Sequence, residues 1–319
     1  MSAPSDINEI YLSSSPHFSS KRSTTFVMLC VVIALLPLCV NGVVLFGIPA
    51  LVTILVSVVS CVGFEFIFQK LTKQTVRITD LSAVVTGLML ALVLPPTVPV
   101  WMIVLGGLFA IIVAKGFFGG IGANVFNPAL TGRAFLFTSF PVAMSTWTLP
   151  IDGVTGATVL SEIKGGVFFA DSELYLQFFL GNRAGCIGET SILLILIAFV
   201  FLLVTKIIDW RAPISMVATV VFFTWVTGGD PLMAILSGGL MFGAVFMVTD
   251  YATTPVTKGG RVVFGAGCGL ITFLIRQFGG YPEGVMFSIL IMNALTPFLN
   301  KIISVKYGYR KQYNGGKTK

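Results

Sequence analysis

Charge is scarce in this chain. Asp, Glu, Lys and Arg make up 10% of its 319 residues, against 55% hydrophobic residues, whereas a soluble domain carries about 25% charged residues. That shortage excludes an ordinary water-coated globule. With a mean hydropathy of +0.95, it assigns most of the surface to lipid. Histidine is nearly absent: the single one, His17, lies in a polar N-terminal tail and reads as a surface residue. The five cysteines, Cys30, Cys39, Cys61, Cys186 and Cys268, form no CxxC, and four lie inside apolar runs. No iron–sulfur or zinc framework is therefore expected, and no metal ligand set. A cleavable signal peptide is not evident, because the first apolar run is too long for an h-region. The net charge of +7 forms no single patch suited to nucleic acid. The basic residues sit in short clusters between apolar runs, the pattern that orients spans in a bilayer.

What is present is a series of runs near the roughly 20 residues a spanning helix needs. They fall at about 24–41, 43–64, 98–116, 187–205, 212–227, 231–249, 261–279 and 283–303, with shorter or interrupted runs at 79–95 and 127–141. The expectation is an all-α integral membrane protein of about ten transmembrane helices. A cytoplasmic tail (1–23) precedes a single membrane domain (24–303), and a basic cytoplasmic tail (304–319) follows it. With the N-terminus cytoplasmic, 17 of the 20 basic residues, Lys115 and Arg133 among them, fall on the cytoplasmic side. Such a bias supports both orientation and helix number. Trp101, Trp147, Trp210 and Trp225 all fall near predicted helix ends, as an interfacial belt requires. Arg276, near the outer end of its span, is expected to snorkel, with a flavin phosphate as the sharper alternative partner. The longest connection, about 142–186, lies on the outer side, and loops of that length are usually functional.

The two halves resemble each other weakly. Phe118-Gly119-Gly120 and Asn127-Pro128-Ala129-Leu130 find echoes in Phe278-Gly279-Gly280 and Asn293-Ala294-Leu295, and Thr79-Asp80 in Thr249-Asp250. Five spans per half require the second copy to be inverted. Inverted repeats with interrupted helices place binding sites at the repeat interface. Asn127 and Asn293 can both donate and accept hydrogen bonds and would suit an uncharged polar heterocycle. For Asn127, helix capping with Pro128 at N1 explains the pair equally well. Glu65, Asp80, Glu189, Asp230 and Asp250 all sit near span ends and read first as interfacial caps. Asp80 and Asp250 are also candidates for a coupling-ion role.

The outer loop contains Asp152-Gly153-Val154-Thr155-Gly156-Ala157-Thr158. Its small residues leave the Thr158 hydroxyl unshielded, and the loop has no histidine to make it a hydrolytic nucleophile. The stretch resembles the flavinylation signal of the Rnf and sodium-pumping NADH:quinone oxidoreductase families. In those families a flavin transferase attaches FMN through its phosphate to the final threonine. The segments 118–137 (FGGIGANVFNPALTGRAFLF), 181–191 (GNRAGCIGETS) and 281–284 (YPEG) also resemble the membrane flavoprotein subunits of both complexes. The likeness covers roughly 80–300. The first span begins near residue 24, without the longer N-terminal extension of the quinone-reductase counterpart, so the chain is more similar to the Rnf branch. The resemblance implies FMN on Thr158, with Asp152, Gly153, Thr155, Gly156 and Ala157 forming its signal. It also implies a second, non-covalent flavin, riboflavin, for which Asn124, Asn127 and Asn293 are the candidate residues. The implied partners are the other Rnf proteins, especially RnfG, which carries its own covalent FMN, and RnfC; the complex moves sodium ions or protons. The implied fold is similar to that of urea channels. A small-solute channel is accordingly the rival reading, and the 152–158 loop is the feature such a channel would not need.

Overall fold

The computed structural model describes residues 23–147, 172–181, 183–279 and 283–303; Asp152–Thr158 lie outside them. The described residues form helices joined by short loops. α1 (Thr24–Phe46) is capped by Ser23, whose Oγ accepts from the Phe26 N–H at 3.2 Å. It runs unbroken through Asn41 and Gly42, where the sequence suggests a boundary between the first two spans. Neither residue turns the chain. The Asn41 amide donates to Thr190 Oγ1 at 3.2 Å, and Gly42 lets Ile187 approach so closely that a Cβ would sit 2.3 Å from its Cγ2. The break comes at Gly47, whose φ of +69° suits glycine, and α2 (Ile48–Leu71) follows.

A 3₁₀ turn (Ile78–Asp80) leads into α3 (Ser82–Leu92), which is buried along almost its whole length and stops short of Pro95-Pro96. α4 (Val100–Leu108) continues as a π-helix through Gly116. α5 (Pro128–Ser139) and the single turn α6 (Pro141–Met144) complete the first half. The second half comprises α7 (Ser172–Leu180), α8 (Ile192–Val204), α9 (Arg211–Val226), α10 (Pro231–Leu236), α11 (Leu240–Phe242, continuing as a π-helix to Met247), α12 (Lys258–Phe278) and α13 (Val285–Ile302). Among the described residues, α1, α2, α12 and α13 are long and apolar enough to cross a membrane, and α3, α4 with its π extension, α8 and α9 are shorter apolar helices.

Two expected spans are discontinuous. The run 231–249 breaks at Ser237–Gly239, and the run 187–205 is helical only from Ile192. Broken backbone at membrane depth persists only where protein satisfies its polar groups, and here each break is met by another segment. The terminal carbonyls of α3 accept from the 186–188 loop: Gly188 N–H donates to Leu92 O at 2.7 Å, Ile187 N–H to Leu94 O at 3.3 Å, and Cys186 Sγ to Val93 O at 3.0 Å. The carbonyls ending α10 accept from arginines. Arg276 reaches Ala234 O at 2.9 Å and Ser237 O at 3.1 Å, and Arg183 reaches Gly238 O at 3.4 Å.

Packing follows the same order in both halves. α2 lies against α3 and α4, α4 against α5, and α1 against α3. Likewise α9 lies against α10 and α12, α12 against α13, and α8 against α11. Across the halves, α1 packs on α8 and α5 on α13. The α9–α12 contact is the most extensive. Gly265 and Gly269 sit one turn apart on α12, and a Cβ there would lie 2.2 Å from Ala212 O and 2.5 Å from Met216 O. Small residues allow this close backbone approach, which in lipid replaces hydrophobic burial as the source of helix association.

Of the three paired motifs expected to mark the repeat, only one sits at matching points. Phe118-Gly119 follows the π-helical end of α4, and Phe278-Gly279 closes α12. Thr79-Asp80 enters α3, whereas Thr249-Asp250 leaves α11. Asn127 starts α5, whereas Asn293 lies within α13. Trp101, Trp210 and Trp225 are at least half exposed, but Trp147 is buried and does not belong to a surface belt.

Candidate functional site

A cavity enclosing about 810 Å³, its opening included, lies at the end of the bundle where α1 begins. Both halves supply its wall: Ser82, Thr86, Lys115, Asn124 and Asn127 from the first, Phe246 and Thr249–Ala252 from the second. Met28, Val31, Val85 and Met89 line its apolar part. Asn127 caps α5, its Oδ1 accepting from the Leu130 N–H at 3.3 Å, as the capping reading requires. Its Nδ2 faces across the halves and lies 3.5 Å from Asp250 Oδ2. The Asn124 amide donates to Phe126 O at 3.3 Å. Asp250 is held as an acceptor by the Ala252 N–H at 3.2 Å and the Thr253 hydroxyl at 3.3 Å. The structure thus brings Asn124 and Asn127 to one cavity. Asn293 is not on its wall. It is buried in α13, and neither its amide oxygen nor its nitrogen has a hydrogen-bond partner among the described residues.

Charged side chains sealed into the protein are the features that sequence reasoning misplaces. Lys115, expected at the cytoplasmic side, is buried. Its Nζ donates to both Glu65 oxygens at 2.8 and 2.7 Å and to Ser82 Oγ at 2.6 Å. Glu65 is consequently an ion-pair partner rather than an interfacial cap. Arg133, likewise expected on the cytoplasmic side, is buried within α5. Its guanidinium lies 2.8 Å from Glu283 and 3.6 Å from Glu189, and it donates to Cys186 Sγ at 3.4 Å. Arg183 donates to the Glu189 carbonyl, and Glu189 lies so close to Gly239 that a Cβ there would be 2.3 Å from Oε1. Arg276 does not snorkel, because the open carbonyls at the α10 break hold its guanidinium. Asp80 and Asp230 do behave as caps. Asp80 Oδ1 accepts from the Ser82 N–H at 2.9 Å, and Asp230 Oδ1 from the Leu232 and Met233 N–H groups at 2.9 and 3.3 Å. The available signal was a charged residue inside an apolar run, which marks a paired functional or structural group by default.

All five cysteines are buried and free, and no metal-ligating cluster occurs among the described residues. Broken helices plugged by neighbouring segments, sealed ion pairs and a polar cavity shared by two halves define an integral membrane protein built around an internal site. The chain belongs to the NQR2, RnfD, RnfE family, whose model matches residues 11–308. It is 46% identical over 312 residues to the D subunit of the Na(+)-translocating ferredoxin:NAD(+) oxidoreductase complex of Acetobacterium woodii, covering 96% of this chain and 98% of that protein. It is 42% identical over 323 residues to the D subunit of the proton-translocating ferredoxin:NAD(+) oxidoreductase complex of Clostridium ljungdahlii, covering 95% and 98%. To the D subunit of the ion-translocating oxidoreductase complex of an Escherichia coli strain it is 37% identical over 347 residues, covering 94% and 99%.

Proposed function

We propose that this chain acts as the RnfD subunit of an Rnf-type ferredoxin:NAD oxidoreductase. In this reading it relays electrons through FMN esterified to Thr158 and riboflavin in the cavity, while the complex moves sodium ions or protons. The observation that carries the reading is similarity over nearly the full length of proteins named as that subunit. For the covalent flavin, support comes from the undeviating match of Asp152–Thr158 to the flavinylation signal. A flavin phosphate is the alternative partner for Arg276, in addition to the carbonyls that hold it here.

For riboflavin, the cavity residues fit. The cavity lining is mostly apolar with a few placed polar groups, the pattern of small-molecule sites. Methionine and valine side chains offer a face for a flat ring, and Asn124 and Asn127 offer amides to its uncharged polar edge. Bound there, a flavin would supply one- or two-electron chemistry, and the protein would supply position and electrostatics. Asn293, buried in α13 and unpartnered among the described residues, lies off this wall and is not used in the cavity assignment.

Ten spans in two inverted five-helix repeats belong to the same proposal, supported by the shared packing order of the halves and the pairing of α1 with α8 and α5 with α13. The same holds for an inner bacterial membrane location, cytoplasmic termini and an outer flavin loop. RnfG and RnfC are the proposed electron-transfer partners. The test is acid denaturation of the purified complex followed by chromatography of the released flavin. One riboflavin per chain is expected, and its loss in an Asn124→Leu/Asn127→Leu double variant. Absence of released riboflavin from the wild-type complex would overturn the cavity assignment.

A further inference from the structure

Lys115 joins the cavity wall to a line of hydrogen bonds that ends near the protein surface. It lies in the π-helical stretch of α4, a conformation found mostly at functional sites. Its Nζ is held by Glu65 of α2 and donates to Ser82 Oγ at 2.6 Å; the Ser82 hydroxyl in turn donates to Asp80 Oδ1 at 2.8 Å. Lys115 and Ser82 both line the cavity, and Asp80 is only half-buried, in the turn before α3. We propose that Asp80, Ser82 and Lys115 form a proton relay serving the cavity, an inference that rests on the reading of the cavity as a riboflavin site.

The chemistry selects these residues. A reducible group bound in the cavity would gain negative charge against a partly buried wall, which is costly unless a proton is supplied with it. The titratable and charged groups facing that space are Lys115 and its partner Glu65 from the first half and Asp250 and Tyr251 from the second. Burial raises the Asp250 carboxyl, but its oxygens are already engaged as acceptors by Ala252, Thr253 and Asn127, and among the described residues no hydrogen bond ties it to Ser82 or Lys115. Tyr251 is half exposed, and among the described residues no hydrogen bond links it to Ser82 or Lys115. Lys115 is the buried donor, its Nζ held 2.7 Å from Glu65. A buried Lys–Glu pair is weak evidence for stability by itself, whereas ionisable groups within membrane spans commonly mark proton relays.

The step balances as follows. One electron comes from a neighbouring redox centre of the complex. Lys115 would give one Nζ proton to the reduced bound group, breaking an N–H bond at Nζ, forming one on that group and leaving a neutral amine. The Ser82 hydroxyl turns and passes its proton to the neutral amine. Asp80, protonated from water, restores the Ser82 proton and returns to carboxylate. The net uptake is one electron and one solvent proton, and Lys115 ends as the ammonium it began as.

The test uses the purified complex with Ser82→Ala, Ser82→Thr and Asp80→Asn variants. Three quantities are measured: riboflavin released on denaturation, the stopped-flow rate of cavity-flavin reduction in H₂O and D₂O, and recovery of that rate with added formate as a small weak acid. Equal riboflavin in all forms is expected. The rate should fall at least tenfold in Ser82→Ala and Asp80→Asn, stay within threefold of wild type in Ser82→Thr, and recover with formate in Asp80→Asn. The slowed variants should also show a larger solvent isotope effect than wild type. Equal riboflavin with unchanged rates in Ser82→Ala and Asp80→Asn would overturn the relay and leave the cavity assignment standing. A wild-type complex without riboflavin would overturn both. If Ser82→Ala loses its flavin, the surface-end variant Asp80→Asn decides.

Discussion

Replacing Arg133 by methionine removes the cation that holds two carboxylates inside the bundle. The Arg133 side chain is 6% exposed; Glu283, at 2.8 Å, is 18% exposed, whereas Glu189, at 3.6 Å, is 3% exposed. Glu283 can turn toward water, so Glu189 bears most of the loss. Among the described residues no other ion pair reaches its carboxylate. Breaking a buried pair by removing one partner costs about 3–5 kcal/mol. At about 2 °C per kcal/mol for a large domain, the unfolding midpoint of Arg133→Met should fall by about 6–10 °C. Adding Glu189→Met, an unbranched side chain of similar length beside Gly239, should restore most of the loss, because a hydrophobic replacement of a buried pair is often neutral. Thermal unfolding of the detergent-purified protein, followed by tryptophan fluorescence, measures both. A single variant within about 1–2 °C of wild type, on the same scale of about 2 °C per kcal/mol, would refute the reasoning, as would a double variant no better than the single.

Three further outcomes follow from the packing and the surface. Gly265→Ala places a Cβ 2.2 Å from Ala212 O and should destabilise by about 1–3 kcal/mol through overpacking. By contrast, Gly63→Ala in α2 meets nothing within 4 Å and should be neutral or stabilising by up to about 1 kcal/mol; thermal unfolding compares the two. In the loop before α9, burial alone would raise the Asp209 carboxyl, but the Arg211 N–H and the Arg261 and Arg211 guanidiniums bring it below its usual value. A depressed folded value contributes stability that is present above the unfolded value and is lost as pH falls through the folded one. Asp209→Asn should therefore cost at most about 1 kcal/mol at neutral pH, the worth of an exposed pair, and the difference should vanish in acid below the usual carboxylate range. Asp80→Asn should also leave ion transport uncoupled from electron flow if Asp80 carries the coupling ion, and reconstituted vesicles report this directly.

The class of protein was legible because composition and run length are local properties. So were the Asn127–Pro128 cap and the Asp230 cap, each readable from a residue and its next neighbours. The α10 break was not, although Ser237-Gly238-Gly239 is plain punctuation, because the apolar residues around it fill a span-length run. Lys115 and Arg133 count with the cytoplasmic basic residues in a sequence reading, and their burial is not visible there because a basic residue at the edge of an apolar run resembles a loop residue. Only the fold brings Glu65 within 2.7 Å of Lys115 and Glu283 within 2.8 Å of Arg133, partners 50 and 150 positions away in the chain. Asn124 and Asn127 meet at the cavity because they flank one turn. Asn293 is grouped with them by a motif echo, and that echo does not fall at an equivalent point of the second half.

The central claim is that this chain carries flavin. Its most direct test is ultraviolet-excited fluorescence of the denatured chain on a gel, from a host that possesses the flavin transferase, beside Thr158→Ala. A fluorescent wild-type band and a dark variant are predicted. A dark wild-type band would contradict the relay and favour a solute channel.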